Sequence, residues 1–267
     1  MKRILTICLG FFALGCFCVL FYVYGPWWFT KIQEYDDKHG SIGQIELPEG
    51  FERLPDDGDG FANYLRSLPL AEKGVPVRTM SGEIVDSLLP YTYRVVNLPL
   101  LHEFEQCADV CIRLRAEYLF RTRQFWRIHF DDTQYHTMRY YWGGYQKKFM
   151  SYLFHVFKFA NTESLIHELP RRSLQEMKSG DIFVYSAKDR EDKEYGHAIM
   201  VADVAIHPKT SKKIFLLLQG STPACNMHIL KNQANPTISP WFEIEEKDSV
   251  LDLGTATYKR DELRSFR

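Results

Sequence analysis

Apolar positions change their period along this chain. From residue 100 onward, Leu100, Phe104, Cys107, Cys111, Leu114 and Tyr118 recur at three- and four-residue steps, the spacing that gathers side chains on one face of a helix. Asn97 and Pro99 stand ahead of them as a capping residue and an early proline, so the pattern predicts a helix over 97–120. A short helix is expected over 61–68, stopped by Pro69. Another is expected over 145–159 behind Gly143-Gly144, and one more after Asn161-Thr162. Strand segments are expected over 75–79 and 91–96, and over 125–130 and 136–142 around an Asp131-Asp132 turn. Beyond residue 180 the character changes. The runs 181–185, 197–205 and 214–219 are β-rich and separated by polar loops, and 227–230 adds a shorter one. A terminal helix is expected near 259–266. Helices first, then a mostly antiparallel sheet, is an α+β layout.

The strongest apolar run lies at the start. No residue from Ile4 to Tyr24 carries a charge, and about 20 apolar residues span the hydrocarbon core of a bilayer. Tyr22, Tyr24, Trp27 and Trp28 then stand where an interfacial aromatic belt belongs. Lys2 and Arg3 precede the run, so the positive-inside bias puts the N-terminus in the cytoplasm and the rest outside. The chain accordingly divides into a membrane anchor over 1–28, a stalk over 29–50 and an extracytoplasmic globular domain over 51–267. Two rival readings stay open. A cleaved signal peptide needs a shorter apolar region and a small-residue cleavage site. Ala13-Leu14-Gly15-Cys16 resembles a lipoprotein processing box, although the strongly apolar stretch from Phe17 to Tyr24 follows it.

Composition removes one class of partner. The formal net charge is −1, with no basic excess to neutralise phosphates, which argues against nucleic acid. Aromatic residues make up 15% of the chain, a level that belongs to a folded domain. Cys8, Cys16 and Cys18 fall in the anchor, and Cys107, Cys111 and Cys225 in the domain. An odd count outside the cytoplasm leaves at least one thiol unpaired within the domain. A Cys111–Cys225 bridge with Cys107 free is one arrangement that the spacing allows.

Chemistry concentrates at the strand openings. Gly180-Asp181 opens one β-rich run, Gly196-His197 opens the next, and the third ends at Gln219. With the hairpin turn in 207–213 and an even-sum register, His197 and Gln219 share a face as diagonal neighbours, about 7–8 Å apart at the backbone. An imidazole deprotonates a thiol only if its tautomer and ring plane are fixed, and the amide oxygen of Gln219 can accept the second ring N–H. Cys107, on the preceding helix, is the candidate nucleophile. Each residue also has a plainer reading. Cys107 on an apolar helix face can be a buried structural thiol. Asp181 is a turn-former. Asp109, Arg113 and Glu117 form an i,i+4 ladder that is either a solvated face, a buried ion-pair network or the lining of a pocket. Cys225 and His228 lack the second ligand pair that a zinc site needs, and no metal or cofactor is expected.

Cysteine hydrolases of the papain-like class, notably the NlpC and CHAP types, carry a Cys on a helix ahead of an antiparallel sheet, a His at the start of one strand and a polar third residue on the next. Cys107, His197 and Gln219 follow that order, and the chain resembles that class distantly. It more closely resembles a family of bacterial envelope proteins known as a domain of unknown function, over about residues 51–266. The segments that carry this are Cys107-Ala108-Asp109, Arg113-Leu114-Arg115-Ala116-Glu117-Tyr118, Gly180-Asp181-Ile182-Phe183, Gly196-His197-Ala198 and Pro240-Trp241. The resemblance implies a papain-like helix and sheet, and a membrane-anchored thiol hydrolase acting on amide bonds of envelope or cell-wall peptides. The alternative is a non-catalytic module that binds peptide or glycan. Two features depart from the papain-like pattern. Glu105-Gln106 precede Cys107 where NlpC types carry Asp or Asn. A helix starting near Pro99 also puts Cys107 two turns in, beyond most of the helix dipole. Gln106 is the one oxyanion donor the sequence suggests.

Overall fold

The computed structural model describes residues 38–141, 144–190, 194–245 and 248–266. The expected anchor over 1–28 lies outside the described residues, as does the first part of the expected stalk. Among the described residues no helix is long and apolar enough to cross a membrane. The elements run β1 (Glu52–Arg53), α1 (Phe61–Arg66), β2 (Thr92–Val95), α2 (Cys107–Arg121), β3 (His129–Asp131), β4 (Thr137–Arg139), α3 (Gln146–Phe159) and α4 (Thr162–Glu168). They continue with β5 (Ile182–Tyr185), β6 (His197–Ile206), β7 (Lys213–Gln219), β8 (His228–Leu230), β9 (Phe242–Glu243), β10 (Val250–Asp252), β11 (Thr257–Lys259) and β12 (Leu263–Arg264). The fold is α+β, as the order of periods predicted.

The central sheet runs β12-β5-β6-β7-β8-β2, with β1 added to β6 and β9 added to β7. Its ladders are antiparallel. Both faces are covered, which is why its central strands read as near-continuous apolar runs. One core lies under the helices, where Ala198, Met200, Leu216 and Leu218 meet Val110, Leu114 and Leu153. The other lies on the opposite face, where Ile199, Val201, Phe215 and Leu217 meet Phe242, Leu251 and Tyr258.

The β6–β7 hairpin contains a bulge. Near the turn Ile206 faces Lys213 and Asp203 faces Leu216, whereas beyond the bulge Val201 faces Leu217 and Met200 faces Leu218. Ala202 is therefore the extra residue. The side-chain parity of β6 flips there: Ala198, Met200 and Ala202 point into the helix-side core, and so does Ala205. Asp203, beside the bulge, is fully buried. It is held between Arg53 Nε at 2.8 Å and Arg66 Nε at 2.7 Å, and its Oδ1 also accepts the Val204 N–H at 2.9 Å. Both arginines extend their clamp to backbone carbonyls, Arg53 to Ile45 and Arg66 to Leu54. Arg53 and Arg66 belong to β1 and α1, so the carboxylate ties these early elements to the central strand.

Several expectations need correction. The helix predicted over 97–120 starts only at Cys107, because the segment before it is folded into an irregular loop around a buried carboxylate, as described below. The terminal helix expected near 259–266 is absent. Those residues form the end of β11, a 3-10 turn over Arg260–Glu262 and the edge strand β12 against β5, where Leu263 is buried beside Phe183. The described part of the expected stalk is packed, with Ile42 in the main core and Ser41 bridged to Pro69. Two isolated isoleucines in a glycine-rich stretch give no period by which to recognise them. Residues 75–79 form only isolated bridges, Arg78 with Ile84 and Thr79 with Cys225. The first half of 125–130 is a 3-10 turn, and strand structure is confined to β3 and β4; Trp142 lies outside the described residues.

Removing Asp203 leaves two guanidinium groups facing a buried gap. Asp203→Ala is expected to destabilise the domain by about 3 kcal/mol, read as a lowered urea midpoint. A loss under about 1 kcal/mol would class the clamp with exposed ion pairs.

Candidate functional site

The start of α2 is fixed by polar contacts. Arg113, almost wholly buried, donates from Nη1 to Glu105 Oε1 at 2.6 Å and to the Pro99 carbonyl at 2.8 Å, and from Nε to Glu117 Oε1 at 2.8 Å. Glu105 Oε2 also accepts the Leu101 N–H at 2.7 Å. These bonds stabilise a non-helical path over 99–105. Gln106 then takes an extended conformation as the N-cap, and Asp109 Oδ2 accepts its N–H at 3.0 Å. Cys107 is thus the first helical residue, not one two turns in. The expected ladder is partly realised: Arg113 pairs with Glu117, while Asp109 serves the helix start.

Two glycines allow the helix start and the strand ends to approach. A Cβ on Gly220 would lie 2.7 Å from Val110 Cγ2 and 3.4 Å from the Gln106 carbonyl oxygen. One on Gly196 would lie 2.2 Å from Thr162 Oγ1 and 2.7 Å from the Tyr185 carbonyl oxygen. Gly196 therefore lets the first turn of α4 sit against the residue before His197.

At this junction the structure brings Cys107, His197 and Gln219 together. The Cys107 thiol and the His197 imidazole are close enough for each to shift the other's charge, and the Ala198 and Ala108 N–H groups act on the sulfur as well. His197 Nε2 lies 2.9 Å from Gln219 Oε1. The even-sum register expected for the hairpin holds beyond the bulge, with Met200 opposite Leu218, and it makes His197 and Gln219 diagonal neighbours. Carried on from the turn without the bulge, the pairing would have placed them on opposite faces.

Burial alone would push the Cys107 thiol up. The His197 charge, its hydrogen bond and the two N–H groups outweigh this, and the net direction is down. Burial alone would push His197 down, yet the Cys107 thiolate and the Gln219 bond carry it upward. The N-terminal position in α2 acts in the same sense on the thiol. Burial drives the Asp109 carboxyl well above the usual range, which disfavours a second anion beside the sulfur. Cys111 and Cys225 behave oppositely, with burial raising both. All three domain thiols are free, so the Cys111–Cys225 bridge does not form.

Clefts open on both sides of the pair. One, of about 380 Å³, is lined by Cys107, Gln106, Asp109, Lys158, Thr162 and Tyr195 among others. The second, of about 400 Å³, is lined by His197, Gln219, Tyr185, Ser221 and Thr255 among others. Tyr195, Gly196 and Thr222 border both. Cys107 itself is only 5% exposed. Asp181 is a turn-former as expected, its Oδ2 accepting the Lys178 N–H at 2.9 Å. Among the described residues no group of three or more His, Cys, Asp or Glu could hold a metal.

Sequence reasoning missed two neighbours of Gln219. Thr255 Oγ1 lies 2.7 Å from Gln219 Oε1, and buried His228 Nε2 lies 3.2 Å from Gln219 Nε2. Thr255 sits in a loop with no motif. The three-residue spacing of Cys225 and His228 suggested a metal pair, and only the β7–β8 register, Gln219 opposite His228, reveals the other arrangement.

The chain matches the family model described as "Domain of unknown function (4846)" over residues 42–146 and 143–265, and it belongs to that family. No curated protein and no solved structure matches it.

Burial depresses His228 from an ordinary 6.5 to about 4. The fold holds the neutral ring, so the unfolded chain takes up the proton first as pH falls. Stability is unaffected above pH 6.5 and declines from there toward pH 4, by about 3 kcal/mol for this group. Urea denaturation of wild type and His228→Phe at pH 7, 5.5 and 4.5 should show the variant's deficit shrinking with acidity; a constant deficit would contradict the assignment.

Proposed function

We propose that the domain is a papain-like thiol hydrolase that cleaves amide bonds of envelope or cell-wall peptides, held at the membrane by the N-terminal apolar segment. The observation that carries the chemistry is the Cys107–His197–Gln219 row. A thiol begins a helix, an imidazole faces it, and an amide oxygen 2.9 Å from the second ring nitrogen holds that imidazole. The thiol is displaced downward and the imidazole upward, the directions expected of a thiolate–imidazolium pair. The substrate class rests on the apolar run from Ile4 to Tyr24 and on the resemblance to envelope proteins.

In this reading the Cys107 thiolate attacks the carbonyl carbon of the substrate, and the carbonyl electrons move onto oxygen. The N–H groups of the first turn of α2 have no intrahelical acceptor, so those near Cys107 can receive the developing oxyanion. Gln106 can add a donor, because its Oε1 is already occupied by the Thr222 hydroxyl at 3.2 Å, leaving its Nε2. His197, protonated by the thiol, passes that proton to the departing amine as the C–N bond breaks. Water then attacks the acyl thioester with His197 as base, releasing the acid and restoring the thiol. Gln219 keeps the imidazole oriented throughout. The clefts on the two sides of the pair offer room for the acyl and amine portions of an extended substrate.

The test is alkylation of the domain by iodoacetamide from pH 5 to 9, with the modified cysteine mapped by mass. Cys107 should react below pH 7, well ahead of Cys111 and Cys225, and His197→Ala should slow it by about tenfold or more. Peptide-release assays on cell-wall fragments should then lose activity in Cys107→Ser. A Cys107 as inert as its two neighbours would sink the hydrolase and favour a peptide- or glycan-binding module built on the same clefts.

A further inference from the structure

Behind the Cys107–His197–Gln219 row lies a buried titratable group that the proposed chemistry does not use. His228 sits in β8 directly opposite Gln219 and is fully buried. Its Nδ1 lies 3.0 Å from the Asn226 carbonyl oxygen. A carbonyl only accepts, so Nδ1 must carry the proton, and neutral His228 has a bare Nε2. That nitrogen lies 3.2 Å from Gln219 Nε2. A bare ring nitrogen only accepts, so the amide NH₂ must face it, and the opposite amide orientation would set two acceptors against each other. Gln219 Oε1 is thereby turned toward His197 Nε2, which must be the donor. His197 Nδ1 is left for the Cys107 proton. The Thr255 hydroxyl, 2.7 Å from Oε1, rotates to suit either orientation of the amide and does not choose between them. The chooser is itself held: the Asn226 N–H donates to the Arg78 carbonyl at 2.9 Å, and Asn226 Oδ1 accepts the Arg78 N–H at 3.0 Å.

We infer that His228 is a positioning residue that sets the tautomer of His197 through the amide of Gln219, so that the carbonyl of Asn226 fixes by relay that Nε2 carries the ring proton and Nδ1 is left to accept from the thiol. This rests on the thiolate–imidazolium reading of the site and extends it by one residue. It also accounts for a Gln at position 219. An amide has one donating end for His228 and one accepting end for His197, so orientation by the first sets the proton on the second.

The test reads the rate of Cys107 alkylation by iodoacetamide against pH in the folded domain, with circular dichroism confirming the fold of each variant. His228→Phe removes the acceptor and frees the amide to turn. It should slow Cys107 alkylation at pH 7 by about fivefold, the worth of one net hydrogen bond. His228→Gln, which can offer an oxygen near the place of Nε2, should restore most of the rate. In Gln219→Ala, adding His228→Phe should cost nothing further, since the relay is already cut. Equal and additive slowing in both backgrounds, or no slowing by His228→Phe, would overturn the positioning role. If His228→Phe does not fold, His228→Gln and Thr255→Val decide: a rate kept in both supports the relay, and a rate lost in His228→Gln overturns it. A wild-type Cys107 that is inert, or indifferent to His197→Ala, would instead defeat the hydrolase reading on which the relay depends, and the two failures are told apart by that control.

Discussion

The constraint on which the rest of the site depends is the clamp around Asp203. A fully buried carboxylate is tolerated only when it is paired and hydrogen-bonded, and here two arginines from separate early elements, together with the following N–H, satisfy it. The carboxylate sits beside the one-residue bulge at Ala202. A bulge changes which face every later residue of a strand presents. The strand leaves the turn with one parity and reaches His197 with the other, and that second parity is the one Gln219 has on β7. The clamp and the junction at the strand ends are therefore linked through the pitch of a single strand, although several residues separate Asp203 from His197.

A second buried charge does the same service for the thiol. Arg113 gathers Glu105, Glu117 and the Pro99 carbonyl, and in doing so holds the chain ahead of α2 out of the helix. Without that network the capping signals at Asn97 and Pro99 would favour an earlier start. Cys107 would then be one more apolar side chain in mid-helix, with its N–H spent on an intrahelical bond. With it, the residue lies in the first turn, where the unpaired N–H groups and the helix dipole favour negative charge. Both devices spend desolvation energy on a choice of geometry, which is one attested use of buried ion pairs.

The fold class and much of the element order were legible because they depend on local period. The helices α1, α3 and α4 and the strands β5 to β8 fall where apolar spacing put them, and parity in an assumed even-sum register put His197 and Gln219 on one face, while Cys107 was only a candidate on the preceding helix. Elements decided by a distant partner were not legible. The residues 259–266 look helical by composition and form an edge strand because β5 offers an open ladder and a pocket for Leu263. The segment around Ile42 looks like a stalk and is core because Leu68 and Pro69 come to meet it.

By itself the sequence determined the α+β layout, the charge balance that argues against nucleic acid, the apolar N-terminal run and the candidates Cys107, His197 and Gln219. Period and residue chemistry are properties of neighbouring residues and survive without a fold. Only the tertiary structure decided that α2 begins at the thiol, that β6 is bulged, and that His228 backs Gln219 instead of forming a metal pair with Cys225. Each of these depends on a buried polar group finding its partner across the chain, and no local pattern records which partner that will be.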